Sequence, residues 1–90
     1  QSKASPALLE EMLALRETIA HASAEKADLT ACTHDLRTRA EASRTALAHA
    51  FDQKNFAQAT TETMRLHYLG KAMEEALMHL YATRPAATHG

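Results

Sequence analysis

Ser5-Pro6-Ala7-Leu8-Leu9-Glu10-Glu11-Met12-Leu13-Ala14-Leu15-Arg16-Glu17 reads as the start of an amphipathic helix. Ser5 is suited to cap it, Pro6 is preset for the first helical position, and Glu10 and Glu11 suit the positive end of the helix dipole. Leu8, Met12, Leu15, Ile19 and Ala22 recur at helical spacing and make one face. Leu9 and Leu13 fall about a quarter-turn or more away from that face. The helix, expected over 6–22, is therefore more apolar than one packed face requires.

Working outward, the rest of the chain is also helical in character. It has 90 residues with only two glycines and two prolines, a composition that favours helix throughout. No glycine or proline marks the first break, and a turn is expected near Ser23 to Asp28. A single helix from Pro6 to Phe51 would be unusual in so small a domain. The second helix is expected over about 29–51, with Leu29, Cys32, Leu36, Ala40, Ser43, Leu47 and Phe51 as a thin apolar stripe. Asp52-Gln53-Lys54-Asn55 interrupts it, and Asn55 is suited to cap a third helix. That helix is expected over about 56–82, with Phe56, Ala59, Leu66, Leu69, Met73, Leu77 and Leu80 on its apolar face. Gly70 inside it costs about 1 kcal/mol against alanine, a cost that close approach of another helix would explain. Arg84-Pro85 should end it, leaving Pro85 to Gly90 as a tail. Three amphipathic helices with short connections predict an all-α, antiparallel three-helix bundle in a single domain.

Several function classes lose support from composition. The formal net charge is −1, and acidic neighbours dilute Arg37, Arg39 and Arg44. Nucleic acid and anionic membranes therefore gain no electrostatic footing. No apolar run approaches a membrane span and no signal peptide is visible. One cysteine, Cys32, allows no internal disulfide and fits a reducing compartment. It reads as a small core residue.

Catalytic chemistry has no convincing constellation. His21, His34, His49, His67 and His79 are scattered over the three helices, and His89 is in the tail. Glu17 with His21, and Glu75 with His79, have the one-turn spacing of two metal ligands, but two ligands do not make a site. No metal or cofactor is implied. His67-Tyr68-Leu69-Gly70-Lys71 is similar to the His-x-Leu-Lys-Gly pattern of histidine phosphotransfer domains, with the glycine and lysine exchanged and a bulky tyrosine beside the histidine. A phosphotransfer module using His67 is thus one alternative, and a purely structural helical oligomerisation domain is another. The third possibility starts from Tyr68, which falls nearly opposite the apolar stripe of its helix. With Leu9 and Leu13 it would form one exposed patch, should the first and third helices pair, rimmed by Glu10, Glu17 and His67. Such a cluster has the anatomy of a protein-binding surface.

The ordered set of motifs then becomes informative. Ser5 to Glu17 resembles the opening of the C-terminal domain of the HscB family, J-type co-chaperones of iron–sulfur cluster assembly. Phe51-Asp52-Gln53-Lys54-Asn55-Phe56 is similar to that domain's turn into its last helix, where the family often has tryptophan in the place of Phe56. Leu66-His67-Tyr68-Leu69-Gly70-Lys71 resembles the family's Leu-Arg-Phe-Leu-Asp-Lys segment. The resemblance covers nearly the whole chain, with a short deletion near Ser23 to Asp28. It implies a three-helix bundle that is not an enzyme. It further implies binding to the cluster scaffold IscU and delivery to the HscA-type chaperone through a separate J domain. The location would be cytoplasmic in a bacterium and mitochondrial in a eukaryote. The scaffold-binding positions it implies are Leu9, Leu13, Glu17 and Tyr68, with His67 beside them where the family often has arginine. Glu10 and Ala14 depart from the family, standing where a methionine and an acid can occur. The His-Pro-Asp motif of a J domain does not occur here, and Thr33-His34-Asp35 is no substitute. A J domain is expected N-terminal to Gln1 in a longer protein.

Overall fold

The computed structural model describes residues 4–82. They form three helices joined by short turns: α1 over Pro6–Ala22, α2 over Lys26–Asp52 and α3 over Phe56–Ala82. Each helix packs on the other two, and α2 with α3 makes the largest interface. The protein is an all-α three-helix bundle. The expected helix stop at Arg84-Pro85, the tail and His89 lie outside the described residues.

The ends of the helices follow from local chemistry. The Ser5 hydroxyl accepts the Leu8 N–H at 3.1 Å, closing the N-terminus of α1 with Pro6 behind it. No acid lies in the first turn of α1, so Glu10 and Glu11 are too far along to serve its dipole. Glu11 is engaged elsewhere, as described below. The first turn forms without glycine: the Ser23 hydroxyl donates to the Ala20 carbonyl at 2.7 Å, and the Glu25 N–H donates to the Ala22 carbonyl at 3.0 Å. Helix α2 starts at Lys26, three residues earlier than expected, with Asp28 in its first turn to favour the dipole. At its other end Lys54 is left-handed, with φ 56°. The Asn55 N–H donates to the Ala50 carbonyl and the Lys54 N–H to the Phe51 carbonyl, the bond pattern of a Schellman cap. Asn55 then turns around and caps α3, its side-chain oxygen accepting the Gln58 N–H at 3.1 Å.

The core draws on all three helices. Leu8, Met12, Leu15 and Ile19 of α1 meet Cys32 and Leu36 of α2, and Leu69, Ala72 and Ala76 of α3. The apolar face read for α1 coincides with its buried residues, Leu8, Met12, Leu15, Ile19 and Ala22. The stripe read for α2 is buried at Leu29, Cys32, Leu36 and Ser43, half-buried at Ala40 and Leu47, and departs only at its end, whereas that of α3 is shifted along its later part. Phe51 and Phe56, expected inside, are exposed, and Ala50 is buried in place of Phe51. The two rings face each other across the turn instead, with centroids 6.5 Å apart. In α3 the seam passes through Ala72 and Ala76, while Leu66, Met73, Leu77 and Leu80 are half-buried flanks. Small side chains let helix axes approach closely, so alanines mark the line of contact and larger residues pack to its sides. Gly70 plays no such part. It is exposed, and a Cβ there would meet nothing within 4 Å.

A polar tie crosses this core. Glu62 of α3 is buried, and its Oε1 accepts the Ser43 hydroxyl of α2 at 2.6 Å. The same oxygen lies 2.6 Å from an Arg65 guanidinium nitrogen, and Gln58 donates to Oε2 at 3.1 Å. Arg65 reaches on to Glu11 of α1 through two hydrogen bonds. Burial works against the Glu62 charge. Hydrogen bonds from Arg65, Ser43 and Gln58, with the Arg65 charge, nevertheless hold its carboxyl below the ordinary value. The hydrogen bonds that Arg65 donates to Glu11 and Glu62 raise its pKa further, so it is permanently charged.

Helix α1 has 17 residues, and α2 and α3 have 27 each. At 1.5 Å per residue the α2–α3 hairpin outreaches α1 by roughly 15 Å. Glu11 pairs with Arg65 and Arg16 with Glu75, so α1 lies along the later part of α3. The overhang falls at the α2–α3 turn, where Phe51 and Phe56 sit.

Candidate protein-binding surface

Tyr68 sits on the flank of α3 that faces α1. It is half-buried and packs against the core cluster. That differs from the expectation that it lies nearly opposite the buried face. The shift of the seam toward Ala72 and Ala76 brings Tyr68 about a quarter-turn from the buried axis, so its ring covers the core edge while part of it meets solvent. The neighbouring His67 is exposed and meets the Tyr68 ring edge-on, with centroids 5.7 Å apart.

Tyr68 and His67 line a groove between α1 and α3 of about 330 Å³. Met12 and Arg16 supply its α1 wall, and Lys71, Ala72 and Glu75 complete the α3 side. Leu9 and Leu13 do not line the groove. They stand beside it on α1, one turn apart and in the same row as Arg16, since positions three and four apart are neighbours on a helix surface. Their relative exposures are 47% and 61%, so neither is spent on the core. Glu17 is exposed one turn beyond Leu13 and is likewise outside the groove.

The sequence reading assigns none of Arg16, Lys71 and Glu75 to this surface, and considers Glu75 only as a metal ligand with His79. Arg16 follows Leu9 by seven positions and Lys71 follows His67 by four, the spacing that already linked Leu9 to Leu13. Extending that rule past the apolar residues finds both.

Other candidates form no comparable surface. Cys32 is buried, beside a second groove of about 390 Å³ between α1 and α2 that Thr18, His21, Asp28 and Asp35 also line. Burial, with the Asp35 charge, pushes its thiol up, while Arg39 pulls it down. His79 lies 3.9 Å from Glu75, which is a loose pair. Among the described residues no group of three histidine, cysteine or acidic side chains is placed to hold a metal ion. No helix of the described residues is long and apolar enough to cross a membrane.

Comparison with known proteins gives one match. The family model described as the HSCB C-terminal oligomerisation domain matches residues 4–77, which takes in α1, α2 and most of α3. No curated protein and no solved structure matches the chain. With a match over most of its length, the chain belongs to the HSCB C-terminal oligomerisation domain family, the C-terminal domain of HscB-type co-chaperones of iron–sulfur cluster assembly.

Proposed function

We propose that this domain binds the iron–sulfur cluster scaffold, an IscU-type protein, and presents it to an HscA-type chaperone engaged by a J domain elsewhere in the full co-chaperone. The observation that carries the reading is the exposed pair Leu9 and Leu13 standing beside the groove that Tyr68 lines. Leaving two leucines about half in water forgoes about 1–2 kcal/mol each where burial is available. A partner that covers them recovers that energy. Tyr68 adds a ring with only part of its surface to desolvate, and Glu17 and His67 set orientation at the rim. Recognition of this kind needs no metal or cofactor in the domain.

Titration of a purified IscU-type scaffold into the domain tests this. Leu9→Ala, Leu13→Ala and Tyr68→Ala should each weaken binding by about 2 kcal/mol, roughly 30-fold. Helicity by circular dichroism should be unchanged. Unaltered affinity in all three variants removes the assignment.

The family description favours a second reading, in which the same patch pairs copies of the chain. Sedimentation then shows a mass that rises with concentration and falls back to the monomer in Leu13→Ala. A monomer at all concentrations excludes it.

A further inference from the structure

The groove between α1 and α3 carries a chemistry that the leucines beside it lack. Its floor is apolar, with Met12 and Ala72 both buried. Its rim is charged, with Arg16 from α1 and Lys71 and Glu75 from α3. Two cations there face one carboxylate. Their pairing is incomplete: Arg16 Nε lies 3.6 Å from Glu75 Oε1, too long for a hydrogen bond, and the Arg16 side chain is 69% exposed. The other Glu75 oxygen is 3.9 Å from His79. Lys71 has no ion-pair partner among the described residues.

The groove on the other side of α1 has the opposite sign. Asp28 and Asp35 line it, with His21. Helix α1 thus divides a cation-rimmed groove from an acid-rimmed one, and only the former adjoins Leu9, Leu13 and Tyr68. At about 330 Å³ that groove is small for a ligand pocket and matches one or two side chains.

Building on the reading of this face as scaffold-binding, we propose that the α1–α3 groove is a subsite for an acidic-apolar segment of the bound partner. An aliphatic side chain rests on Met12, Tyr68 and Ala72. A carboxylate next to it on the partner is taken by the Arg16 fork and the Lys71 ammonium. An arginine fork donates to a carboxylate at two points, whereas the lysine acts as a point charge. Glu75 is then an internal competitor, since it offers Arg16 the same group that the partner brings. Removing it should tighten binding, an effect of opposite sign to lost packing or lost folding.

The test is titration of an IscU-type scaffold into the wild type, Lys71→Ala, Glu75→Gln and Leu13→Ala, at low and high ionic strength. Glu41→Gln, an exposed charge on α2, serves as a control with the same change in net charge. Lys71→Ala should weaken binding about three- to five-fold and flatten its salt dependence, while Glu75→Gln tightens it two- to five-fold and Glu41→Gln leaves it unchanged. If Lys71→Ala and Glu75→Gln are both without effect, or move affinity in the same direction, while Leu13→Ala weakens it, the subsite is wrong and the binding face stands. If Leu13→Ala is without effect as well, the face itself is wrong and the subsite falls with it.

Discussion

Glu11 and Arg65 stand 54 positions apart in the chain and meet through two hydrogen bonds, of 3.0 and 3.1 Å. Their two-point contact ties α1 to α3. The same guanidinium neutralises buried Glu62, which in turn holds Ser43 of α2. One arginine therefore joins all three helices.

Arg65→Ala should cost about 2–3 kcal/mol, because it leaves the Glu62 charge buried with only neutral donors. The figure lies below that of a fully buried pair, since the Arg65 side chain is 24% exposed. Arg65→Lys should lose about 1 kcal/mol, as a point charge cannot serve Glu11 and Glu62 together. Urea unfolding gives both values as midpoint shifts. A loss under 0.5 kcal/mol in Arg65→Ala, well short of the order expected, would reject the tie.

Acid should release the same lock. The folded Glu62 carboxyl titrates below its ordinary value of 4.5. Between the folded value and 4.5 the unfolded chain takes up a proton that the folded chain refuses. Its stabilisation is fully present above about pH 4.5 and is lost as pH falls through the folded value. Unfolding midpoints at pH 7 and pH 3 should differ less in Glu62→Gln than in the wild type. Equal drops would show that other carboxylates carry the acid sensitivity.

The shifted seam of α3 predicts unequal costs for two large residues that share one predicted stripe. Leu69 is 2% exposed and Phe56 is 61% exposed. Leu69→Ala should cost about 3 kcal/mol, with Phe56→Ala under about 1 kcal/mol despite the larger side chain removed. Comparable losses in thermal or urea unfolding would put Phe56 back in the core.

Glycine and the left-handed position are mismatched in this chain. Gly70 occupies ordinary open helix, while Lys54 carries φ 56° at the α2 cap. Gly70→Ala should add about 0.5–1 kcal/mol by helix propensity and unfolded-state entropy. Lys54→Gly should add a similar amount by removing the Cβ penalty of the left-handed residue. A rise in melting temperature for each, additive in the double variant, is the expected result.

Legibility of the sequence varied with the kind of signal. Ser5-Pro6 and Asn55 announced helix starts because capping is local chemistry. The face of α1 was readable because its buried positions carry large apolar side chains. The face of α2 was readable from Leu29 to Ser43. Its last position and the later part of the α3 face were displaced because the seams there run through Ala50, Ala72 and Ala76, which pattern reading weighs lightly beside Phe51 and Phe56. Glu62 went unseen, since a buried carboxylate depends on Arg65 and Ser43 and no local rule links the three. Within the candidate surface, Leu9 and Leu13 stood out as surplus to one face. Arg16 and Lys71 did not, since a charged residue on a helix is ordinary until a groove gives it a neighbour.

The surface proposed for the scaffold is divided between α1, the shortest helix, and α3. A guest that spans both must hold α1 down, and it gains its full contact only when α1 is already seated. Occupancy and folding are then coupled through mass action. At a hundredfold excess over its Kd, such a guest adds about 2.7 kcal/mol to the folded state. Amide exchange in α1 should slow most on binding, and a scaffold that departs would leave α1 as the helix readiest to peel away.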